Sequence, residues 1–357
     1  MSLRALLQKE VRWSKHNVAA LLVLVLVLPA TFGYASVAFQ TVIPQDAPVA
    51  VVATDENVDD ASLEVVELAV SRFGDPVRYD SERAAVRGLH REEVYAMITV
   101  PPGLINGSTA TELTLSVDGS MVLFEEPSRA MVNVLNYRLQ TGIASGSDVS
   151  VQHHILGQSH SLAEYLIPIL LIATLMLFAF TYVPYNLASE ARAIERIRTE
   201  SSLETLITAK LLYFTALMLV PIGVFGFVTW ALGYAIAPAS VGLVLVLLLS
   251  FVAMAAVAMT IMLLTRFGTA GRFVSVIVMF GLLSFGGIIY PAGFFSPLRR
   301  SIVRSVPIHY TAIVTRGEML RDVPLELYTD YILLLVGTAI AALIALKLGI
   351  VAYRRGD

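Results

Sequence analysis

The sequence predicts a polytopic α-helical membrane protein: six transmembrane helices, with a small α/β extracytoplasmic domain inserted after the first. Three observations carry that expectation. Of 357 residues, 56% are apolar and only 15% are charged, whereas soluble domains are about a quarter charged. Six uncharged runs approach the roughly 20 residues a helix needs to cross an apolar core about 30 Å thick. The interval between the first two runs is strongly acidic and alternates strand and helix patterns. The formal net charge of −3, with no clustered basic surface, leaves no footprint for nucleic acid. With no cysteine, disulfides, thiolate metal sites and thiol catalysis are excluded.

Residues 1–17 form a basic head with Arg4, Lys9, Arg12 and Lys15. The apolar run 18–39 that follows is too long for a signal peptide and has no small-residue cleavage site, so it reads as the first span. Residues 40–161 read as a domain. From Thr41 to Glu164 there are 18 Asp/Glu against 7 Arg and no Lys, a net charge of −11, and such a surface belongs in water, away from anionic headgroups. Val49–Thr54 reads as a strand, Asp59–Phe73 as a helix, Val77–Asp80 as a short strand and Ser81–Glu93 as a helix. Val94–Val100 reads as a buried strand, Thr111–Asp118 as a half-buried one and Pro127–Gly142 as a helix returning toward the membrane. His153, His154 and His160 lie where the domain rejoins the membrane. With Glu164 they offer a metal set, against the plainer reading of a solvated polar linker. Asn106-Gly107-Ser108 forms one glycosylation sequon.

Residues 162–357 read as a five-helix transmembrane domain. Its spans are expected at 163–185, interrupted or kinked by Pro168 and Pro184, then at 211–236 and 241–264 as a hairpin through Ala237–Ser240, at 273–290 and at 331–351. Basic residues of the head, of 186–210, of Arg266 and Arg272 and of the tail all fall on one side, which places both termini in the cytoplasm. The loop 298–321 dissents, with Arg299, Arg300, Arg304, Arg316 and Arg321 on the outer side.

No phosphate-binding GxxxxGK[ST] loop, GxSxG elbow, HExxH or dinucleotide fingerprint is present, so the chain does not read as an enzyme. Between their ends the spans lack ionisable residues, which argues against a proton- or sodium-coupled carrier working alone. Small residues at helix-packing spacing occur at Gly337, Ala341 and Ala345 and at Ala253, Ala255, Ala256 and Ala258. The segment 186–210 reads as a charge-laced amphipathic helix, with Glu195 and Arg198 three apart and Arg196 and Glu200 four apart. It suits either a docking surface for a cytosolic partner or an interfacial helix on headgroups.

Several motifs in order resemble the ABC-2 type permeases, the transmembrane subunits of type V ABC exporters, in the branch with a large α/β ectodomain after the first span. ALLQKEVRW resembles that family's amphipathic elbow, AMITVPPGL its ectodomain strand ending in Pro-Pro-Gly, and Glu190 through Lys210 its coupling segment. That last match departs from the family by lacking its Gly-Thr and Pro. Gly287–Leu320 resembles the run after the fifth span, where breaks and two short helices form a re-entrant segment, here 291–320. The resemblance implies a dimer of permease copies, a separate cytosolic P-loop ATPase that holds ATP and Mg²⁺, and no cofactor in this chain. It assigns coupling to Glu190, Arg192, Glu195, Arg196, Arg198, Glu200, Leu203 and Glu204, and the outer gate or re-entrant segment to Pro291, Phe294, Phe295, Pro307, Tyr310 and Arg316. The arginines of that segment are expected at the outer headgroups. The cargo classes it implies are hydrophobic or amphiphilic compounds (lipid, drug or peptide) or sodium, exported through the plasma membrane. The competing class is a membrane sensor or scaffold with an extracytoplasmic domain and no transport activity. Usage of 21 Arg against 4 Lys points to a GC-rich prokaryote.

Overall fold

A computed structural model describes residues 46–105, 111–142, 149–189, 191 and 202–355. The elbow, the first expected span, the sequon and most of the coupling segment lie outside the described residues. The first region is a five-stranded sheet built from β1 (Ala47–Ala53), β2 (Gly74–Tyr79), β3 (Ala96–Val100), β4 (Thr111–Asp118) and β5 (Val149–Leu156), in the order β2-β1-β3-β4-β5. β1 runs parallel to β2 and β3, β4 is antiparallel to β3, and β5 is parallel to β4. Helices α1 (Asp60–Val70) and α2 (Glu82–His90) supply the two crossovers that parallel neighbours require, and α3 (Glu125–Gly142) joins β4 to β5. Period-2 alternation sorts β1 between two cores: Val49 and Val51 face α1 and α3, while Ala50 and Val52 face α2.

β5 corrects the reading of its sequence as a linker. VSVQHHIL pairs with β4 over eight residues, and Asn136 of α3 occupies its outer edge, accepting from the Val151 N–H at 2.6 Å and donating to the Val151 carbonyl at 3.2 Å. That arrangement closes an edge otherwise open to pairing. The pleat sends His153 and His154 to opposite faces. His153 Nε2 lies 2.7 Å from Ser128 Oγ, whereas His160 lies beyond the strand with Nε2 2.7 Å from the Leu320 carbonyl. The three histidines are therefore not brought together, and among the described residues no group of three metal-ligating side chains occurs.

The second region is helical. Among the described residues, four stretches are long and apolar enough to cross a membrane: Leu162–Ser189, Leu203–Ala231, Val241–Leu264 and Leu325–Arg355. The first comprises α4 (Leu162–Leu177), a π-helical turn (Phe178–Tyr182) and α5 (Val183–Ser189). The π turn sits just before Pro184, whose missing N–H would break the α ladder, so the helix absorbs the proline and does not end there. α6 (Leu203–Leu217) and α7 (Leu219–Ala231) are separated at Met218, the residue after the carbonyl that Pro221 crowds. This helix, capped by Ser202, begins at Leu203, eight residues before the expected span. The reading of 186–210 as one continuous helix is accordingly corrected: the chain is extended at Ser202, and Leu203 and Glu204 open the membrane helix itself.

α8 (Val241–Leu264) packs most extensively on α12 (Thr329–Arg355), while α6 leans on α8 and α7 on α4. On α12 the buried face is Leu335, Ala339, Ala342, Leu346, Gly349 and Ile350. The stripe Gly337, Ala341 and Ala345 does not form it, since Gly337 and Ala341 are exposed. α9 (Thr269–Phe285) has 17 residues, about 25 Å, and is short for a span. Two short helices follow, α10 (Pro297–Ser305) and α11 (Ile308–Arg321), before a 3₁₀ turn leads into α12.

Candidate functional site

The two regions meet where the end of α2 presses on α11 and on the start of α12. Local chemistry shapes α2: the Ser81 side chain accepts from the Ala84 N–H, Glu82 sits in the first turn, and Arg87 and His90 sit in the last, as the helix dipole favours. The chain then reverses sharply, with the Glu92 and Glu93 N–H groups donating to the Leu89 and Gly88 carbonyls. Glu92 reaches this turn with φ +55°, a left-handed conformation that costs a side-chain-bearing residue about 1–2 kcal/mol. The turn drives its carboxylate into the other region.

There it meets Arg316 in a two-pronged pair, Nε to Oε1 at 3.0 Å and the second guanidinium nitrogen to Oε2 at 2.8 Å. Both side chains are inaccessible to solvent, at 1% and 0% exposure. Arg316 also donates to the Ile288 carbonyl at 2.9 Å. Arg321, one turn further along α11, lies 2.6 Å from Asp118 and 3.3 Å from Glu92, and donates to Ser120 Oγ and the His90 carbonyl. Two acids and two arginines thus cancel, which a buried cluster requires. Burial alone would push the Glu92 carboxyl up; the charges of Arg316 and then Arg321 outweigh it and hold the group below its ordinary range. His90, half-buried nearby, is held below its ordinary value by burial and Arg321, against the pull of Asp118.

A second tier is partly wet. Arg91 grips Asp330 of α12 with bonds of 2.9 and 2.6 Å, donates to the Leu327 carbonyl, and lies 4.4 Å over the Tyr331 ring. The Tyr328 hydroxyl donates to the His90 carbonyl. Close approach is enforced by glycine at two points: a Cβ on Gly317 would strike the Tyr328 hydroxyl, and one on Gly293 the Tyr95 ring.

The residues expected at an outer gate are distributed around this joint. Pro291 precedes a 3₁₀ turn (Ala292–Phe294), and Phe294 packs edge-on to Phe124 of the α/β domain at 5.6 Å. Phe295 is buried beneath Arg299, 3.9 Å above its ring. Pro307 caps α11, and the Tyr310 hydroxyl donates to the Arg304 carbonyl. Arg316 corrects the expectation of arginines at the headgroups, because it, Arg321 and Arg300 are buried against the acidic domain and within protein. Of the coupling residues, Glu190, Arg192, Glu195, Arg196, Arg198 and Glu200 lie outside the described residues. Leu203 is buried, and Glu204 lies 3.5 Å from Arg354 at the far end of α12. The sequence reading missed Glu92, Asp118, Arg91, Asp330 and Arg321. Their signal was the dissenting arginine-rich loop beside a domain of net −11, two charge excesses that answer one another.

Comparison with known proteins gives one family: a family model described as "ABC-2 family transporter protein" matches residues 18–347. No curated protein matches. No solved structure matches.

Proposed function

The chain belongs to the ABC-2 family of transporter proteins, a membrane component of an ABC transporter and not its ATPase, and from that premise we propose that it is the permease subunit of an ATP-driven exporter. Two copies form the path, and a separate cytosolic P-loop ATPase binds ATP and Mg²⁺. Both termini and the 186–210 segment face the cytoplasm, the first span lies at 18–39, and the α/β domain faces outward on the plasma membrane. The cargo is hydrophobic or amphiphilic, a reading favoured by spans whose few charges, such as Glu164 and Lys347, lie toward their ends. Glu190, Arg192, Glu195, Arg196, Arg198, Glu200, Leu203 and Glu204 meet the ATPase, while Pro291, Phe294, Phe295, Pro307, Tyr310 and Arg316 flank the outer exit.

The observation that carries this reading is the span of α12. One end is clasped to the α/β domain through Asp330 and Arg91, and the other carries Arg354 beside Glu204, about 36 Å away along a 27-residue helix. A displacement at the ATPase end therefore reaches the outer joint through one continuous element. The test is purification of the tagged chain from its native membrane in mild detergent, with mass spectrometry of what accompanies it. A stoichiometric P-loop ATPase, lost when Arg196 and Glu200 are reversed together, is the expected result. Its reproducible absence from an intact complex would move the reading to a sensor or scaffold.

A further inference from the structure

Beneath α11 lies an apolar cleft of about 280 Å³. α8 forms its floor with Ser250, Ala253, Met254 and Val257, while Val278 and Leu282 of α9 and Leu335, Thr338 and Ala342 of α12 form its sides. Pro307, Ile308 and Thr311 close its upper end. Its hydroxyls are already committed. Ser250 bonds to the Val246 carbonyl and to Thr311, Thr311 is bonded in turn to Ser250, and Thr338 donates to the Leu334 carbonyl. Nothing polar is left for a guest to satisfy. Pockets that enclose a drug-sized molecule run to about 300–1,000 Å³, so this space suits part of a molecule. Leu335 to Ala342 covers about 10 Å of helix, the proportions of a slot for a chain.

The helices that frame the upper end carry aromatic and basic residues. The rings of Tyr310, next to Thr311 of the lining, and of Tyr331, one turn before Leu335, stand 4.8 Å apart, the residue type that marks a membrane–water boundary. Arg304, three residues before Pro307, is exposed, its carbonyl tied to Tyr310 and its guanidinium engaged by a long 3.4 Å bond to the Glu93 carbonyl. α10, which carries it, holds Arg299, Arg300 and Arg304 and no acid, and presents Leu298 and Ile302 to the surroundings at 76% and 42% exposure. An amphipathic basic helix of this kind lies at an anionic interface.

We propose that the cleft holds one acyl chain of a phospholipid whose phosphate rests on Arg304. The site needs only the membrane setting of the family, so it stands or falls apart from ATPase coupling. The test uses full-length protein in nanodiscs of phosphatidylcholine doped with phosphatidylglycerol bearing a diazirine in its acyl chain, with adducts mapped by mass spectrometry. Adducts are expected on Ala253, Val257, Leu282 and Thr338 at least fivefold above those on Val224 and Phe227 of α7, which are exposed at 53% and 64%. Arg304→Gln, at an exposed position, should lower labelling of the cleft severalfold and leave α7 labelling unchanged; Thr338→Trp should do the same by filling the cleft. Labelling of the cleft no greater than that of α7, or insensitive to both variants, would overturn the proposal. So would occupation by the chain's own segment 18–39. Because the protein has no native cysteine, that rival reads out cleanly as rapid disulfide formation between Thr338→Cys and single cysteines placed through 18–39, in a protein whose cleft takes up no lipid adduct.

Discussion

Neutralising Glu92 by Glu92→Gln should damage the joint more than removing either arginine, and the reason lies in who is left behind. The carboxylate faces Arg316 at 2.8 and 3.0 Å and Arg321 at 3.3 Å. Arg321 keeps Asp118 at 2.6 Å; Arg316 keeps the Ile288 carbonyl and one neutral amide oxygen in place of the carboxylate, and becomes a buried cation with no counter-charge. Breaking a buried pair from one side costs about 3–5 kcal/mol. Arg316→Met leaves Glu92 still facing Arg321, and a loss of about 1–3 kcal/mol follows from the unmade hydrogen bonds. The double variant removes both stranded groups, so its cost should fall below the sum by about 0.5–3 kcal/mol. The assay is the thermal midpoint of the full-length protein in detergent, read as the monodisperse fraction by size-exclusion chromatography after heating. At about 2 °C per kcal/mol for a long chain, Glu92→Gln should fall by about 6–10 °C and the double variant by less than the two single losses summed. Equal losses for the two single variants, or strictly additive ones, would refute the reasoning.

Three further outcomes follow from the same geometry. Glu92 has its carboxyl held low, so its contribution is complete above the ordinary carboxylate pKa of about 4.3 and is lost as pH falls through the lower folded value; His90, also held low, loses stability as pH falls below about 6.5. Thermal midpoints from pH 8 to 4 should therefore decline first in the step that His90→Gln abolishes. Gly293→Ala, pushing a methyl into the Tyr95 ring, should cost about 1–3 kcal/mol, while Gly281→Ala, with open space around it, should be neutral or slightly stabilising in the same assay. Reversing Arg354 to Glu should leave that midpoint within about 1 kcal/mol, as the Glu204 pair is exposed at 42% and 47%, yet reduce recovery of the ATPase on purification; unchanged recovery would remove Glu204 from the coupling set.

The strands of the α/β domain were legible because burial on one face or both leaves a period-2 pattern, and Thr111–Asp118 is recovered residue for residue. β5 was not, because its half-polar VSVQHHIL is an edge strand whose stability comes from β4 and from Asn136, partners that local sequence does not display. The starts of the membrane helices were blurred for a related reason. Hydropathy registers where lipid begins, whereas α6, capped by Ser202, starts at Leu203, eight residues before the expected span. The joint was invisible residue by residue, since Glu92 and Arg316 are 224 positions apart, and only the opposed charge excesses of domain and loop announced it.

A joint of charges stabilises less than its contact suggests. Taking Glu92, Asp118, Arg316 and Arg321 out of water carries a desolvation cost of several kcal/mol per ion, roughly offset by their attraction, so an apolar joint of equal volume would hold as well or better. The difference appears on opening. Parting an apolar joint exposes surface at about 25 cal/mol per Å² with nothing returned, whereas parting this one gives each ion back its hydration as the attraction is lost. Position also matters: Glu92 is satisfied by a two-pronged fork at 3.0 and 2.8 Å, and the same residue carries a left-handed backbone that a released turn need not keep. Parting the joint would therefore relieve contact and strain together. The clasp of Arg91 on Asp330 ties the joint to the end of α12, the helix whose opposite end carries Arg354.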